Sequence, residues 1–166
     1  MLYGDIVSQE SLNEPYSHRD GRASLGFRAK LSVGIHTRAG LAMHNRILVV
    51  DNSPYVADAS ARLISVCGYE TKTAYGGREA IEQFAAFAPD MVLMDIGMPD
   101  MDGYQAAAHI RHELGNEKVL LVAVTCFNQE QEIKHAMDSG FNLHVPKPLG
   151  LRTLYGLLAL LHERAA

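Results

Sequence analysis

The sequence predicts an α/β domain: a doubly wound, five-stranded parallel sheet with helices on both faces. Three observations carry this prediction. Between residues 46 and 161, five short runs with strand character alternate strictly with five stretches at helical spacing. The connections between them are short, and right-handed crossovers then place parallel strands side by side with helices on either face. Four of the runs end in, or run straight into, a polar residue: Asp51, Asp95, Thr125 and Lys147. The expected strand order is 2-1-3-4-5. Its switch point lies between the strands ending in Asp51 and Asp95, and polar chemistry in such sheets collects at that edge.

Each element has its own justification. The run ILVV, opened by Arg46 and closed by Asp51, is continuous and apolar, as a strand buried on both faces reads. Ser53 followed by Pro54 predicts a helix start, with the serine accepting from orphan N–H groups and proline tolerated in the first turn. Val56, Ala59, Leu63 and Cys67 follow at helical spacing, and Gly68 stops the helix. A second strand is expected over about 70–74. A helix over about 78–87 follows, with Ile81, Phe84 and Ala85 inward and Pro89 closing it.

The third strand, Met91 to Met94, ends abruptly in Asp95, and Gly97, Pro99 and Gly103 mark a tight loop that opens a helix. Tyr104, Ala107, Ile110 and Leu114 give that helix its apolar stripe, and Gly115 ends it. The fourth strand, Val119 to Val124, ends in Thr125. Asn128 is the expected cap of a helix carrying Ile133, Ala136 and Met137, which stops at Gly140. The last strand, over about 142–145, runs into Pro146, Lys147 and Pro148. Leu151, Leu154, Leu157, Leu158 and Leu161 then form the stripe of the final helix.

Composition bounds the rest. With 166 residues, 48% hydrophobic and 20% charged, the chain has room for one domain of about 120 residues and an appendage. Residues 1–44 show no helical or strand period and are expected to be a flexible extension, with the domain over 45–166. No apolar run approaches the roughly 18 residues that span a bilayer, and the N-terminus has neither the basic opening nor the apolar core of a secretory signal. A cytoplasmic protein with no membrane partner is expected. Of nineteen acids and fifteen bases, four and five fall in residues 1–44, leaving 45–166 at −5. That balance argues against a nucleic-acid surface. Cys67 and Cys126 are far apart, outside any CxxC spacing, and read as small buried hydrophobes rather than a disulfide or zinc site. His109 and His112 stand three apart on a helix, but HIRHE matches neither zinc-helix pattern, and a solvated face is expected.

If the sheet forms as described, Asp51, Asp95, Thr125 and Lys147 meet over its carboxyl edge. Two carboxylates with a neighbouring carbonyl are hard oxygen ligands, suited to Mg²⁺ at about 2.1 Å with waters completing the shell. A hydroxyl and an ammonium supply what a phosphoryl group needs besides a metal. The motifs ILVVDNSP, VLMDIGMPDMDG, AVTCF and GFNLHVPKP, in this order, resemble the response-regulator receiver domain, the phospho-acceptor module of two-component signalling. The likeness runs from about Arg46 to Leu161. The phrases DIGMP and GFNLHVPKP are most similar to receivers attached to hybrid histidine kinases.

The resemblance implies a flavodoxin-like, CheY-like fold. It also implies roles: Asp95 as the phosphorylated residue, Asp51 as a metal-site acid, the Gly97 carbonyl as a metal ligand, Thr125 as the hydroxyl that contacts the phosphoryl group, and Lys147 as its cationic partner. Three positions depart from the family pattern. Asn52 stands where a second acid is usual and offers Mg²⁺ an oxygen without charge. His144 takes the place of the aromatic switch residue paired with Thr125, and imidazole titrates near neutrality. Cys126 replaces a smaller residue beside Thr125. The implied function is a stand-alone receiver that takes phosphate from a sensor histidine kinase or a histidine phosphotransfer protein and signals to a downstream protein through a changed binding face. It is not expected to turn over a separate substrate. The alternative is a phosphorylation-independent pseudo-receiver. A phosphatase of the haloacid dehalogenase type would need a DxD motif and a flavin carrier a Ser/Thr/Gly-rich phosphate loop, and neither DIG nor DNSPY supplies one.

Overall fold

The computed structural model describes residues 45–126 and 129–165. The extension expected over 1–44 and the cap expected at Asn128 lie outside the described residues. Five strands, β1 (Arg46–Val50), β2 (Glu70–Ala74), β3 (Met91–Asp95), β4 (Leu120–Thr125) and β5 (Leu143–Pro146), alternate with five helices. The helices are α1 (Pro54–Val66), α2 (Gly77–Phe87), α3 (Gly103–His112), α4 (Glu130–Asp138) and α5 (Leu151–Ala165). All strand pairs are parallel and the order is β2-β1-β3-β4-β5, as the sequence predicts.

The uninterrupted apolar runs are the central strands. Every residue of β3 and β4 is buried, because both sheet faces are covered. On one face Ile47, Val49, Leu93 and Val122 pack with Ala57, Ala61 and Ile64 of α1 and with Leu154, Leu157, Leu158 and Leu161 of α5. On the other, Leu48, Val50, Val92, Met94 and Leu121 pack under Phe84 of α2, Ala106, Ala107 and Ile110 of α3, and Ala136 of α4.

Several inward positions differ from expectation by one step around the helix. In α1 the buried stripe is Ala57, Ala61 and Ile64, while Val56 and Leu63 are 47% and 38% exposed. Ala59 is exposed as well, and Cys67 is half-buried. The two stripes are adjacent, and the one with the smaller side chains allows the helix backbone closer to the sheet. In α2, Gly77, Ala80, Phe84 and Phe87 are buried, Ile81 is half-buried and Ala85 exposed. Leu114 lies beyond the end of α3, and it, Met137 and Leu151 are exposed, since neighbouring positions complete each stripe. Cys126 is exposed, because it follows the last residue of β4 and escapes both helical layers.

Helix starts also differ. Ser53 is the N-cap of α1, but its side chain makes no capping bond; its carbonyl accepts from Val56 and Ala57, and its own N–H is turned onto Asp51. Gln129 is the N-cap of α4. At α3, Asp102 and Gln105 form a reciprocal capping box, which fixes where the helix leaves the Asp95 loop.

Candidate functional site

The carboxyl edge of the sheet brings four expected residues together from four strand ends. Asp51 follows β1, Asp95 ends β3, Thr125 ends β4, and Lys147 follows β5. Thr125 is buried at 2% exposure, and so are Asp51 and Asp95, at 5% and 7%, unusual for these two charged groups without a partner. Their partner is Lys147, whose Nζ lies 2.8 Å from Oδ2 of Asp51 and 2.9 Å from Oδ2 of Asp95.

The remaining carboxylate oxygens are tied in matching fashion. Asp51 Oδ1 accepts from the N–H of Ser53 at 2.9 Å, and Asp95 Oδ1 accepts from the N–H of Gly97 at 3.2 Å. Each acid is thus held by the amide two residues ahead, an Asx-type turn that fixes its rotamer. The two Oδ2 atoms are left to face one cation. Backbone bonds hold the frame, with Asp51 N–H on the Ala74 carbonyl and Lys147 N–H on that of Thr125. Burial pushes the Lys147 ammonium toward release of its proton, but the hydrogen bonds and charges of Asp51 and Asp95 outweigh it and raise its pKa above the ordinary lysine value.

The loop after β3 is compact. The Ile96 carbonyl accepts from Met98 and from Gly103, folding the chain back on itself, and Asp100 adopts φ 64°. A Cβ on Gly103 would stand 2.6 Å from the Asp95 carbonyl oxygen and 2.8 Å from Ile96 Cα, so only glycine fits where α3 starts against the strand end. Gly97 and Asn52 are exposed at the mouth of the site. His144 is half-buried and pairs with Ala123, which places it on the sheet face that Thr125 shares, under α4.

The donor set fits a hard divalent cation, because two buried carboxylates already converge on a single positive charge. Asp51, Asp95 and the Gly97 carbonyl would hold Mg²⁺, with Asn52 adding a neutral oxygen. Among the described residues no three His, Cys, Asp or Glu side chains converge as a metal-binding group, and Asn52 is where a third acid would have stood. His109 and His112 likewise find no third ligand among the described residues; His112 is exposed, as expected, whereas His109 is half-buried.

Chemically, the site presents a buried carboxylate at a sheet edge, a cation within reach of its reactive oxygen, and a hydroxyl on the neighbouring strand. Such an arrangement can offer an incoming anion a carboxylate nucleophile with charge neutralisation, the requirement of phosphoryl transfer. Sequence reading missed the amides of Ser53 and Gly97 as orienting groups, and the Asp102 cap. The D-x-x-Q spacing from Asp102 to Gln105 was a usable signal for the cap.

Comparison with known proteins agrees. The family model described as the response regulator receiver domain matches residues 47–159. Response regulator MprA of Mycolicibacterium vanbaalenii is 34% identical over 119 residues, covering 72% of this chain and 51% of that protein. Regulatory protein AtoC of Escherichia coli K12 is 36% identical over 110 residues, or 66% of this chain and 23% of that one. The chain thus spans about half the length of the first relative and less of the second. A two-component response regulator from Clostridium difficile superposes with a TM-score of 0.67 at 26% identity, over 73% of this chain and 98% of that structure.

Proposed function

The chain belongs to the response regulator receiver domain family, and from that premise we propose that Asp95 accepts a phosphoryl group from the phosphohistidine of a sensor histidine kinase or a histidine phosphotransfer protein. The observation that supports this reading is the shared Lys147 ammonium, 2.8 Å from Asp51 and 2.9 Å from Asp95. A carboxylate oxygen of Asp95 attacks phosphorus in line, the P–N bond to the donor imidazole breaks, and the imidazole leaves with the bonding pair. Lys147 offsets charge on the phosphoryl oxygens and Thr125 donates its hydroxyl to one of them. Mg²⁺, held by Asp51, Asp95 and the Gly97 carbonyl, would supply further neutralisation of the phosphoryl charge.

In this reading residues 45–166 are the receiver and 1–44 an extension to it. The receiver works in the cytoplasm and passes its signal to a downstream protein. The acidic balance of 45–166 favours a protein partner over nucleic acid. Among the described residues, no helix is long and apolar enough to cross a membrane. Phosphorylation draws Thr125 and Lys147 toward the new group, and with His144 biases a two-state equilibrium of α4 and β5.

A second reading, a protein-interaction module that does not use phosphate, is motivated by Asn52 and Cys126. Intact-mass analysis after incubation with acetyl phosphate, with and without Mg²⁺, separates the two. A single phosphoryl adduct that requires Mg²⁺ and disappears in Asp95→Asn is the expected result; no adduct, with no response to beryllofluoride, would favour the phosphate-independent module.

A further inference from the structure

Of the residues of α4, Ala136 alone is buried, so this helix owes little of its position to the core. Two side chains of α3 tether it, Tyr104 along its length from the first turn and Arg111 beyond its carboxyl end. In the first turn of α3, Tyr104 donates its hydroxyl to Glu132 Oε2 at 2.8 Å, and its ring stacks on the imidazole of His135 with centroids 4.0 Å apart and planes at 20°. Glu132 and His135 are three residues apart, so one tyrosine grips one face of α4.

In the last turn of α3, Arg111 does the corresponding work at the other end. Its Nε donates to the Gly140 carbonyl at 2.8 Å and its Nη2 to Asn142 Oδ1 at 2.7 Å. The same guanidinium donates to the carbonyls of Asn116 at 2.6 Å and Val119 at 3.1 Å. Asn142 Oδ1 also accepts from the N–H of Leu121 at 2.8 Å, so the turn after α4 is bound to β4 as well.

The two tethers differ in kind. Arg111 is 6% exposed and makes four charge-assisted bonds, the one to Val119 fully buried and those to Asn116, Gly140 and Asn142 partly so, and all four must be exchanged for water before this end is released. Gly140 adopts φ +102°, and a Cβ there would lie 2.5 Å from Arg111 Cγ, which leaves the turn little room to rearrange. Tyr104 and Glu132 are only partly buried, and water can take over either partner at small cost. Tyr104 is also the residue after Gly103, whose N–H is bonded to the Ile96 carbonyl at 3.0 Å. A rearrangement of the loop after Asp95 therefore reaches the weaker tether through one residue.

We infer that α4 is a lever hinged where Arg111 holds Gly140 and latched where Tyr104 holds Glu132 and His135, and that the latch sets how readily α4 leaves its resting position. The inference rests on the switching reading given above, and it adds the residues that set the threshold. Water competing for the hydroxyl and loss of the ring stack release the free end, while the Arg111 end stays in place.

Hydrogen exchange read by mass spectrometry on the full, unphosphorylated chain tests this. Tyr104→Phe removes the bond to Glu132 and keeps the stacked ring; Tyr104→Ala removes both. Exchange over residues 130–138 should rise about tenfold in Tyr104→Ala and by less in Tyr104→Phe, with residues 140–146 unchanged. Unchanged exchange in α4, or equal acceleration in β4 and β5, would overturn the lever, the second because Tyr104 would then be a general stability residue. Tyr104→Ala should also respond to beryllofluoride at lower concentration than the parent chain. Because exchange is read before any phosphate is added, failure to form an adduct on Asp95 would sink the phospho-acceptor reading and leave the exchange result to decide on the lever.

Discussion

Lys147 Nζ stands 2.9 Å from Oδ2 of Asp95, joining the end of the last strand to the end of the third. Since it also neutralises Asp51, removing it leaves two buried carboxylates facing each other. Lys147→Met should cost about 2 kcal/mol in urea unfolding, below the value for a fully buried pair because the Lys147 side chain is itself 23% exposed. The loss should shrink in an Asp95→Asn background, where one repelling charge is gone; equal losses in both backgrounds would refute the account.

Arg111 donates to three backbone carbonyls and to Asn142. Burial, the largest influence, lowers its pKa, with Glu117 opposing and Arg164 adding to the effect. Arg111→Met would strand those acceptors and should destabilise the domain by about 3 kcal/mol, with Arg111→Lys recovering less than half, since an ammonium cannot span the same acceptors. Chemical denaturation of the two variants checks both values.

Glycines in the loop after β3 should respond in opposite ways. Gly103→Ala places a methyl 2.6 Å from the Asp95 carbonyl oxygen, against backbone that cannot yield, and should cost about 2 kcal/mol and slow acetyl phosphate labelling. Gly97→Ala meets nothing within 4 Å and should leave stability within about 0.5 kcal/mol of the parent. Thermal melts of the pair decide it.

Asn52→Asp restores a second acid beside Asp51. Titration calorimetry of the unphosphorylated chain should show Mg²⁺ binding about tenfold tighter, as expected when a full charge replaces an amide dipole near the ion. No change in affinity would mean that Asn52 lies outside the metal's reach.

Tyr104 has its pKa pushed up to about 12 by burial first, then by the bond to Glu132 and the charges of Glu132 and Asp102. A proton held more tightly in the folded chain adds stability that is complete below the ordinary tyrosine value of 10.0 and is lost as pH climbs toward about 12. Lys147, raised above 10.5, acts in the same direction at the same end of the scale. Stability should therefore fall as pH rises past 10, and Tyr104→Phe should flatten part of that slope. An unchanged slope in the variant would show that the hydroxyl is not the group responsible.

The topology was legible because β1, β3 and β4 are uninterrupted apolar runs, and only a sheet covered on both faces accommodates them. The site was legible for a related reason: Asp51, Asp95 and Thr125 break those runs at their carboxyl ends. Helix phase was not. Val56 and Leu63 lie one position from Ala57 and Ile64, and Ala59 two from Ala61; both stripes are apolar, and only the sheet beneath decides which one turns inward. Ser53 looked like a capping side chain, yet its N–H serves Asp51 instead. The Tyr104 and Arg111 tethers leave no mark at all, because each joins residues about thirty positions apart through geometry that no local spacing encodes.

Asp51 and Lys147 are separated by 96 positions, one following the first strand and the other the last. During synthesis, the first four strands can emerge while the two carboxylates still lack their cation. A ribosome-bound or truncated chain that stops short of β5 holds the two acids without the ammonium they share, and the acids repel. On the phospho-acceptor reading proposed above, a chain lacking β5 would meet its donor without the ammonium that pairs with Asp95.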